Sequence, residues 1–260
     1  MGRYMNFSLT DKKLGIIGLG NIGQSVVTAL LKTQTVTEDQ IFIHTRSEGK
    51  VKKFLSRYSV TQVDTAEQLV DQCDLVLLAV QPQDLLELLE PLRGAFTSEK
   101  VAMSFAPGIS LRTLRKYLPE PRLVRIMPSA PTLVSRGVIH FCIPESDMII
   151  EKLVKKLFSP LGSVVSTEEG EEFSALTISS SSGVPFVLEI MKYWQDWIQE
   201  YGFEPELARK IVIETFLGAA LLAEESEDTT FHQLTERLAS KKGVTDAGLL
   251  SLRELELEGI

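Results

Sequence analysis

Three glycines near the N-terminus have the spacing of a phosphate-binding turn. Gly18, Gly20 and Gly23 follow the apolar run Leu14–Ile17 and open a segment with helical periodicity. The first glycine permits a tight turn, the second lets the backbone approach a pyrophosphate, and the third lets the helix pack on the strand. The amides that begin such a helix point at the phosphates. The pattern predicts a dinucleotide-binding turn, and a glycine-rich turn of purely structural role is the alternative.

The residues after the second predicted strand indicate which dinucleotide binds. An NAD site usually places a carboxylate there, which accepts hydrogen bonds from the ribose 2′-hydroxyl. Here the strand ends at His44 and is followed by Thr45-Arg46-Ser47, with Lys50 shortly after. The two basic side chains can pair with a 2′-phosphate, and the serine can donate to it. We therefore predict binding of NADPH in preference to NADH; in the alternative, Arg46 is only a solvated charge at the end of a strand.

The composition excludes several other kinds of site. A net charge of -8 over 260 residues does not provide the basic surface that nucleic acids or anionic membranes require. Cys73 and Cys142 form no C-x-x-C motif, and His44, His140 and His232 lack metal-ligand spacing, so we predict no metal site. The N-terminus lacks the apolar segment of a signal peptide, and no apolar run approaches the ~20 residues of a membrane span. We expect a soluble cytoplasmic protein.

Short apolar runs alternate with helix-like segments in the first part of the chain. The predicted strands are Leu14–Ile17, Ile41–Ile43, Leu75–Val80, Val101–Phe105, Leu123–Met127 and Val138–Ile143. The predicted helices are Ile22–Leu31, Ala66–Val70, Asp84–Leu92 and Leu111–Leu118. Apolar strands that alternate with helices indicate a parallel sheet covered on both faces. For residues 1–167 we predict an α/β fold, a Rossmann-type doubly wound parallel sheet that binds NADP.

The rest of the chain, residues 168–260, has helical patterns and no convincing strand. The predicted helices are Val184–Tyr201, Glu206–Glu224, Thr229–Ala239 and Leu249–Leu257. The second of them is apolar over more than one stripe and contains the small-residue patch Gly218-Ala219-Ala220. A helix that is apolar nearly all round should be buried on all sides, and a segment of roughly 90 residues does not easily bury one alone. We therefore predict an all-helical dimerisation domain and a homodimer or larger homo-oligomer.

Longer motifs resemble those of the pyrroline-5-carboxylate reductase family, in the same order, over nearly the whole chain. In the first part they are Gly18-Leu19-Gly20-Asn21-Ile22-Gly23, Thr45-Arg46, Ala79-Val80-Gln81-Pro82-Gln83, Ser104-Phe105-Ala106-Pro107-Gly108-Ile109 and Val124-Arg125-Ile126-Met127-Pro128-Ser129. In the helical part they are Thr177 with Ser180-Ser181-Ser182-Gly183, Thr215 with Gly218-Ala219-Ala220, and Ser240-Lys241-Lys242-Gly243-Val244-Thr245 with Ala247-Gly248-Leu249. This order and spacing are far more specific than a glycine-rich turn alone.

The resemblance implies NADPH-dependent reduction of the cyclic imine 1-pyrroline-5-carboxylate to proline, by hydride transfer to the C=N carbon. The implied cofactor-binding residues are Gly18, Leu19, Gly20, Asn21, Ile22, Gly23, Thr45, Arg46, Ser47, Ala79, Val80, Pro82 and Ala106. The implied substrate-binding residues are Ser182, Gly183, Gly243, Val244 and Thr245, of which the last three would receive the substrate carboxylate. Thr245 is also the candidate catalytic residue, as a proton relay. A protonated imine needs positioning and exclusion of water more than a strong general acid.

The departures from the family pattern cluster in the predicted substrate half. The family's Ser-Pro-Gly-Gly loop is here Ser240-Lys241-Lys242-Gly243, and Lys242 should obstruct a backbone conformation with positive φ. Asp246 places a carboxylate next to Thr245, which is unfavourable unless it pairs with a lysine of the loop or caps the helix.

Two alternatives remain open. One is a related protein with a different imine substrate or a regulatory role, like the relatives that accompany some bacterial competence operons. The other is an enzyme similar to the β-hydroxyacid dehydrogenases, which share the Rossmann-plus-helical layout and use a helical lysine as acid and base. Lys192 is the candidate for that lysine, but the glycine-rich frame that normally precedes it is missing, and a solvated helix residue is the simpler interpretation.

Overall fold

The structure, a computed structural model, describes residues 9–144, 147–240 and 242–254. Within these residues the apolar runs form one sheet of eight strands: β1 Leu14–Ile17, β2 Ile41–His44, β3 Thr61–Gln62, β4 Leu75–Leu78, β5 Val101–Ser104, β6 Arg122–Pro128, β7 Gly137–Cys142 and β8 Gly162–Ser166. The strand order is β3-β2-β1-β4-β5-β6-β7-β8. Neighbouring strands are parallel except for β6 and β7. The predicted α/β fold of Rossmann type is confirmed.

Successive residues of the central strands point to opposite faces of the sheet, as a pleated strand requires. Ile16 of β1 and Leu77 of β4 belong to one buried apolar cluster. Ile17 and Leu78, their neighbours in the two strands, belong to a second cluster. All four positions of both strands are buried. The sheet is therefore covered on both faces, which explains why these strands are apolar throughout rather than alternating.

The helices that accompany the sheet are α1 Asn21–Lys32, α2 Glu48–Leu55, α3 Ala66–Gln72, α4 Pro82–Leu92, α5 Leu111–Tyr117, α6 Met148–Phe158 and α7 Glu171–Leu176. The four predicted helices are present, with ends shifted by at most two residues. Helices α2 and α6 were not predicted, although α6 buries Ile150, Leu153 and Val154 on one face. Asp147 caps α6, because its Oδ1 accepts a hydrogen bond of 3.1 Å from the N–H of Ile149.

Strand β7 departs from the predicted parallel arrangement. It runs antiparallel to β6, with Met127 opposite His140. The connection between them, residues 129–136, is too short for the crossover that parallel neighbours need. It consists of a 3₁₀ turn at Ala130–Val134 that ends on Ser135, whose φ is 58°. The prediction of a uniformly parallel sheet was wrong at this strand.

The chain divides into two compact units, Met1–Pro185 and Phe186–Ile260. The domain boundary predicted between residues 167 and 168 stays a prediction. The remaining helices are α8 Gly183–Glu200, α9 Pro205–Glu224, α10 Phe231–Leu238 and α11 Val244–Glu254. After β8 the described residues contain no strand, and the predicted helical C-terminal part is confirmed.

The second unit has a small apolar core. Ile198, Ala208 and Val212 form its buried cluster. Helix α9 is not buried on all sides in the single chain, because Leu217 is 50% and Leu221 41% exposed. This exposure agrees with the expectation that one chain does not bury α9 alone, and the exposed apolar side of α9 leaves a surface for another subunit.

One helical stretch, Glu171–Glu200, is long and apolar enough to meet a test for membrane spans by length and composition. Little of its most apolar part is buried in the single chain. Helices of soluble proteins meet the same test. An ion pair between Lys192 and Asp196 lies on the stretch, with an N–O distance of 3.2 Å. Charged pairs of this kind are costly inside a bilayer, so the stretch is weak support for a membrane span.

Candidate functional site

A cleft of about 660 Å³ lies at the carboxyl ends of β1, β2 and β4. Eight of the predicted cofactor residues line it: Gly18, Leu19 and Gly20 after β1, Thr45, Arg46 and Ser47 after β2, and Ala79 and Val80 after β4. Strand β4 ends at Leu78 rather than at the predicted Val80, which leaves Ala79 and Val80 in the loop. The strand order reverses direction at β1, and open α/β sheets bind ligands at such a switch point.

The glycine turn after β1 is shaped by close backbone contacts. Gly18 has a φ of +101°, and a Cβ there would lie 2.5 Å from the carbonyl oxygen of Ala79. A Cβ on Gly23 would collide with the carbonyl oxygen of Gly18. Gly20 differs, since a Cβ there would meet nothing within 4 Å. The fold itself explains Gly18 and Gly23, whereas space for an approaching ligand explains Gly20.

The start of α1 fits a pyrophosphate group. Gly20 is its N-cap, and in the described structure no side chain caps the helix and no acidic residue lies in its first turn. The first N–H groups are therefore open to an anion, which the helix dipole favours. Asn21, Ile22 and Gly23, predicted cofactor residues, form this turn. These three do not line the cleft, and neither do the other two predicted cofactor residues, Pro82 at the start of α4 and the buried Ala106.

The basic end of the cleft contains a carboxylate that the sequence analysis missed. A terminal guanidinium nitrogen of Arg46 lies 2.8 Å from Oδ2 of Asp84, in the first turn of α4. Beside this pair, the N–H of Ser47 donates to Oγ1 of Thr45 at 3.3 Å. The side chain of Lys50 lies outside the described part of the structure. The predicted cation is present at this end, but in the free protein it is already paired.

A second group of polar side chains lies next to β6 and β7. Arg125 contacts Oε1 of Glu169 at 3.1 Å, and its guanidinium lies 4.1 Å from the centre of the Phe173 ring. The same Glu169 oxygen accepts a 2.8 Å hydrogen bond from the N–H of Leu111, at the start of α5. Phe173 also contacts His140, whose ring packs edge-on against it with 4.5 Å between the ring centres. These contacts join β6, β7, α5 and α7.

His140 is held as a neutral ring. Its Nε2 lies 2.9 Å from Oγ1 of Thr177, and that hydroxyl donates to the carbonyl oxygen of Phe173 at 2.8 Å. A hydroxyl has one hydrogen, so Nε2 of His140 must carry the proton and donate to Thr177. Burial lowers the pKa of His140 to about 4. The charge of Arg125 also lowers this pKa, and the nearby backbone of Phe173 partly offsets the shift. Its Nδ1 is buried without a partner among the described residues.

We expect the buried His140 to make the protein less stable in mild acid. The unfolded chain binds a proton near pH 6.5, whereas the folded chain does so only near pH 4. Stability therefore falls as the pH decreases through this window, by up to about 3 kcal/mol. Urea unfolding between pH 7.5 and 4.5 measures the loss. His140→Gln, which keeps an N–H donor but does not titrate, should flatten the curve, and the same change at the exposed His232 should not. Equal pH dependence in His140→Gln and the unchanged protein would contradict this account.

The predicted substrate residues Ser182 and Gly183 lie in an unusual helical segment. Residues Thr177–Ser182 form a π-helical turn, and Gly183 begins α8 directly after it. The hydroxyl of Ser181 is buried without a partner within the described structure. Such turns are rare and frequently occur at functional sites. The hydrogen bond from His140 to Thr177 fixes the first residue of this turn to strand β7.

In the second unit, the loop at residues 240–243, which is predicted to bind the substrate carboxylate and is called the carboxylate loop below, leads into α11. Gly243 comes directly before the helix, whose first residues are Val244 and Thr245. Lys242 adopts a φ of 62°, so the expectation that a lysine here excludes positive φ was wrong; the backbone accepts the strain of a left-handed residue. Its N–H donates to Oδ2 of Asp246 at 2.9 Å. Asp246 thus caps the loop, and Lys241 lies outside the described residues.

Lys192 has the surroundings of a solvated residue. Its ammonium group pairs with Asp196 one helical turn away and lies 4.9 Å from the centre of the Tyr193 ring. The hydrogen bond to Asp196 raises the pKa of Lys192. A lysine that acts as acid and base near neutral pH needs a lowered pKa, so these contacts oppose the dehydrogenase alternative.

Two family models match separate parts of the chain. A family described as NADP oxidoreductase, coenzyme F420-dependent, matches residues 13–108, and one described as pyrroline-5-carboxylate reductase dimerisation matches residues 170–260. Pyrroline-5-carboxylate reductase from Methanosarcina acetivorans is 30% identical over 251 residues, which are 95% of this chain and 91% of the relative. The enzyme from Haemophilus influenzae is 28% identical over 243 residues, 93% of this chain and 89% of the relative.

Solved structures of similar proteins share the fold of this chain. The NADP-bound pyrroline carboxylate reductase from Plasmodium falciparum has a TM-score of 0.87 at 23% identity, covering 96% of this chain and 93% of that one. A pyrroline-5-carboxylate reductase from Coxiella burnetii has a TM-score of 0.86 at 25% identity, covering 95% and 92% of the two chains. The arrangement of a Rossmann-type sheet followed by helices is thus common to all three proteins.

Proposed function

Because this chain belongs to the pyrroline-5-carboxylate reductase family, we propose that it reduces 1-pyrroline-5-carboxylate to proline with NADPH. It is an oxidoreductase of the NAD(P)-dependent class that acts on C=N bonds. The observation that carries the proposal is the cleft at the switch point, where a glycine turn open to a pyrophosphate lies beside Arg46. The similarity to reductases over 95% of the chain extends it to the substrate.

The cleft residues suit NADPH in three places. The first N–H groups of α1 would hold the pyrophosphate, since nothing in the described chain caps them. Arg46 would hold the 2′-phosphate, with Thr45 and Ser47 beside it. Ala79 and Val80 lie in the loop after β4, which ends at Leu78, and would line the cleft toward the nicotinamide. When bound, NADPH supplies the hydride for the reaction.

The substrate side would bind and orient a protonated imine. The N–H groups of Gly243 and Val244 and the hydroxyl of Thr245 would receive the carboxylate of the substrate at the start of α11. Ser182 and Gly183 would border the ring, positioned by the π-helical turn that His140 anchors. A protonated C=N group needs no further acid to accept a hydride, so these residues would act by positioning and by excluding water.

The match to the dimerisation family indicates that the chain forms a homo-oligomer. We propose a homodimer or larger assembly in which the exposed apolar side of α9 lies at the interface. A cytoplasmic location suits this proposal, because the relatives named pyrroline-5-carboxylate reductase are soluble metabolic enzymes.

Asp246 favours one second candidate, a reductase for a different imine. Its carboxylate already accepts the N–H of Lys242 at the edge of the proposed carboxylate loop. A second carboxylate, that of the substrate, would bind next to this charge at a cost. An imine without a carboxylate, such as 1-pyrroline, would avoid the repulsion. Comparing kcat/KM for 1-pyrroline and 1-pyrroline-5-carboxylate decides between the two, since only the second candidate predicts preference for the imine without a carboxylate.

We expect Thr245→Ala to lower kcat/KM for 1-pyrroline-5-carboxylate about 10- to 100-fold, as expected for losing a hydrogen bond to a charged group. NADPH absorbance with and without the imine measures turnover. Thr245→Ser keeps the hydroxyl and should retain most of the activity, and NADPH affinity should be unchanged in both variants. No turnover by the unchanged protein with intact NADPH binding would refute the reductase proposal. Full activity of Thr245→Ala would refute only the role of Thr245.

A further inference from the structure

The ion pair between Arg46 and Asp84 lies across one end of the cleft. Arg46 follows β2, and Asp84 is in the helix that follows β4. In the sheet, β2 and β4 lie on opposite sides of β1. The contact of 2.8 Å therefore connects the two sides of the glycine turn at the level of the proposed coenzyme.

The two partners of this pair differ in how firmly they are placed. Asp84 lies in the first turn of α4, where the helix dipole favours a carboxylate. The backbone N–H of Asp84 donates to the carbonyl oxygen of Gln81 at 3.0 Å. The side chain of Arg46 is 76% exposed and that of Asp84 39%. Exposed ion pairs contribute little to stability. A ligand that carries more negative charge can therefore take Arg46 from Asp84, while Asp84 stays in place.

We propose that Asp84 is a specificity-determining residue that narrows the preference for NADPH over NADH. This inference rests on the proposed NADPH site. For NADPH, the 2′-phosphate takes Arg46 and must then lie near the carboxylate that Arg46 has left. Glu87, another carboxylate of α4 that lines the cleft, adds to the negative charge at this end. For NADH, the pair stays closed, and Asp84 is free to accept a hydrogen bond from the ribose 2′-hydroxyl.

The two coenzymes should thus respond differently to the charge at residue 84. A 2′-phosphate carries nearly two negative charges at neutral pH, so repulsion by Asp84 weakens NADPH binding. A 2′-hydroxyl is neutral, and its hydrogen bond survives when the acceptor is an amide oxygen instead of a carboxylate. Removing the charge while keeping the shape of the side chain separates these effects.

The test measures the dissociation constants of NADPH and NADH by fluorescence titration for the unchanged protein and for Asp84→Asn. We expect NADPH to bind about 3- to 10-fold more tightly to the variant, and NADH to change less than about twofold. Glu90→Gln is the control, because Glu90 is exposed on the same helix and does not line the cleft. It makes the same change in net charge and should leave both constants unchanged.

A double variant tests whether Asp84 acts through Arg46. In an Arg46→Ala background, NADPH should bind more weakly. The fold-change in NADPH affinity caused by Asp84→Asn should then differ from the fold-change measured with Arg46 present, since the two side chains are in contact. If the ratio of NADPH affinity to NADH affinity does not rise in Asp84→Asn, this inference is overturned and the proposed function stands. Failure of the unchanged protein to bind either coenzyme would overturn both.

Discussion

Replacing Gly20 by alanine should leave the fold intact and weaken NADPH binding about 100-fold or more. A Cβ on Gly20 meets nothing within 4 Å in the free protein, and the residue has an ordinary negative φ of -70°. The same Cβ would lie where the pyrophosphate must approach the backbone. Losing one or two hydrogen bonds to a charged phosphate corresponds to about 3 kcal/mol, which is roughly a 100-fold change in affinity. Fluorescence titration measures the affinity, and thermal unfolding measures the stability.

Two other glycines provide the controls for this result. Gly49→Ala makes the same chemical change in α2, outside the cleft and with nothing within 4 Å, and should affect neither binding nor folding adversely. Gly18→Ala should instead destabilise the protein itself, because φ is +101° and the carbonyl oxygen of Ala79 lies 2.5 Å from the added Cβ. If Gly20→Ala binds NADPH like the unchanged protein, the glycine turn does not hold the pyrophosphate.

Replacing Arg46 by aspartate should reverse the coenzyme preference. The change removes the cation that would pair with the 2′-phosphate and places a second carboxylate beside Asp84. A charge-assisted hydrogen bond is worth about 1.5 to 3 kcal/mol, and two carboxylates then repel the phosphate. We expect NADPH to bind about 100-fold more weakly, while NADH, whose ribose hydroxyl can donate to an aspartate, keeps or gains affinity. Dissociation constants of both coenzymes measure the switch.

Arg46→Ala separates the two parts of this change. It removes the cation without adding a carboxylate, so NADPH should lose affinity while NADH gains none. Arg46→Asp and Arg46→Ala should unfold at nearly the same temperature as the unchanged protein, because the side chain of Arg46 is mostly exposed. Unchanged NADPH affinity in Arg46→Asp would show that the arginine is only a solvated charge.

The parts of the fold that were predictable from the sequence are those with strong local signals. Strand β1 and the glycine turn are contiguous, and the alternation of apolar strands with helices specifies the layers of the sheet. Helix α6 also had a usable signal, since Ile150, Leu153 and Val154 have helical spacing and follow the cap residue Asp147. Strand β8 had none, because Gly162–Ser166 is short, has no buried residue and carries only one valine on each face.

Contacts between residues far apart in sequence were not predictable in this way. The direction of β7 depends on the length and shape of one connection, and the sequence pattern of a buried strand is the same in both directions. Asp84 belongs to a helix that was predicted, but its pairing with Arg46 requires two loop ends to meet at the sheet edge. The π-helical turn Thr177–Ser182 likewise has no periodicity of its own, and its contact with His140 joins residues far apart in the sequence.

The departures in the carboxylate loop show a limit of reasoning from residue types. Lysine at position 242 disfavours a positive φ, yet the structure has a φ of 62° there. The explanation is local, since the N–H of Lys242 is held by Asp246, the other residue that departs from the family pattern. The two departures are therefore coupled, and each was unfavourable only when considered by itself.

In the proposed homo-oligomer, the small buried cluster of the second unit makes the stability of the folded subunit depend on protein concentration. Ile198, Ala208 and Val212 supply little apolar burial for four helices, and Leu217 and Leu221 of α9 remain half exposed. When such a surface is covered by another copy, association and folding share one equilibrium, and mass action governs both. The melting temperature of the protein then rises with its concentration, and the cell's level of the chain becomes part of what keeps it folded.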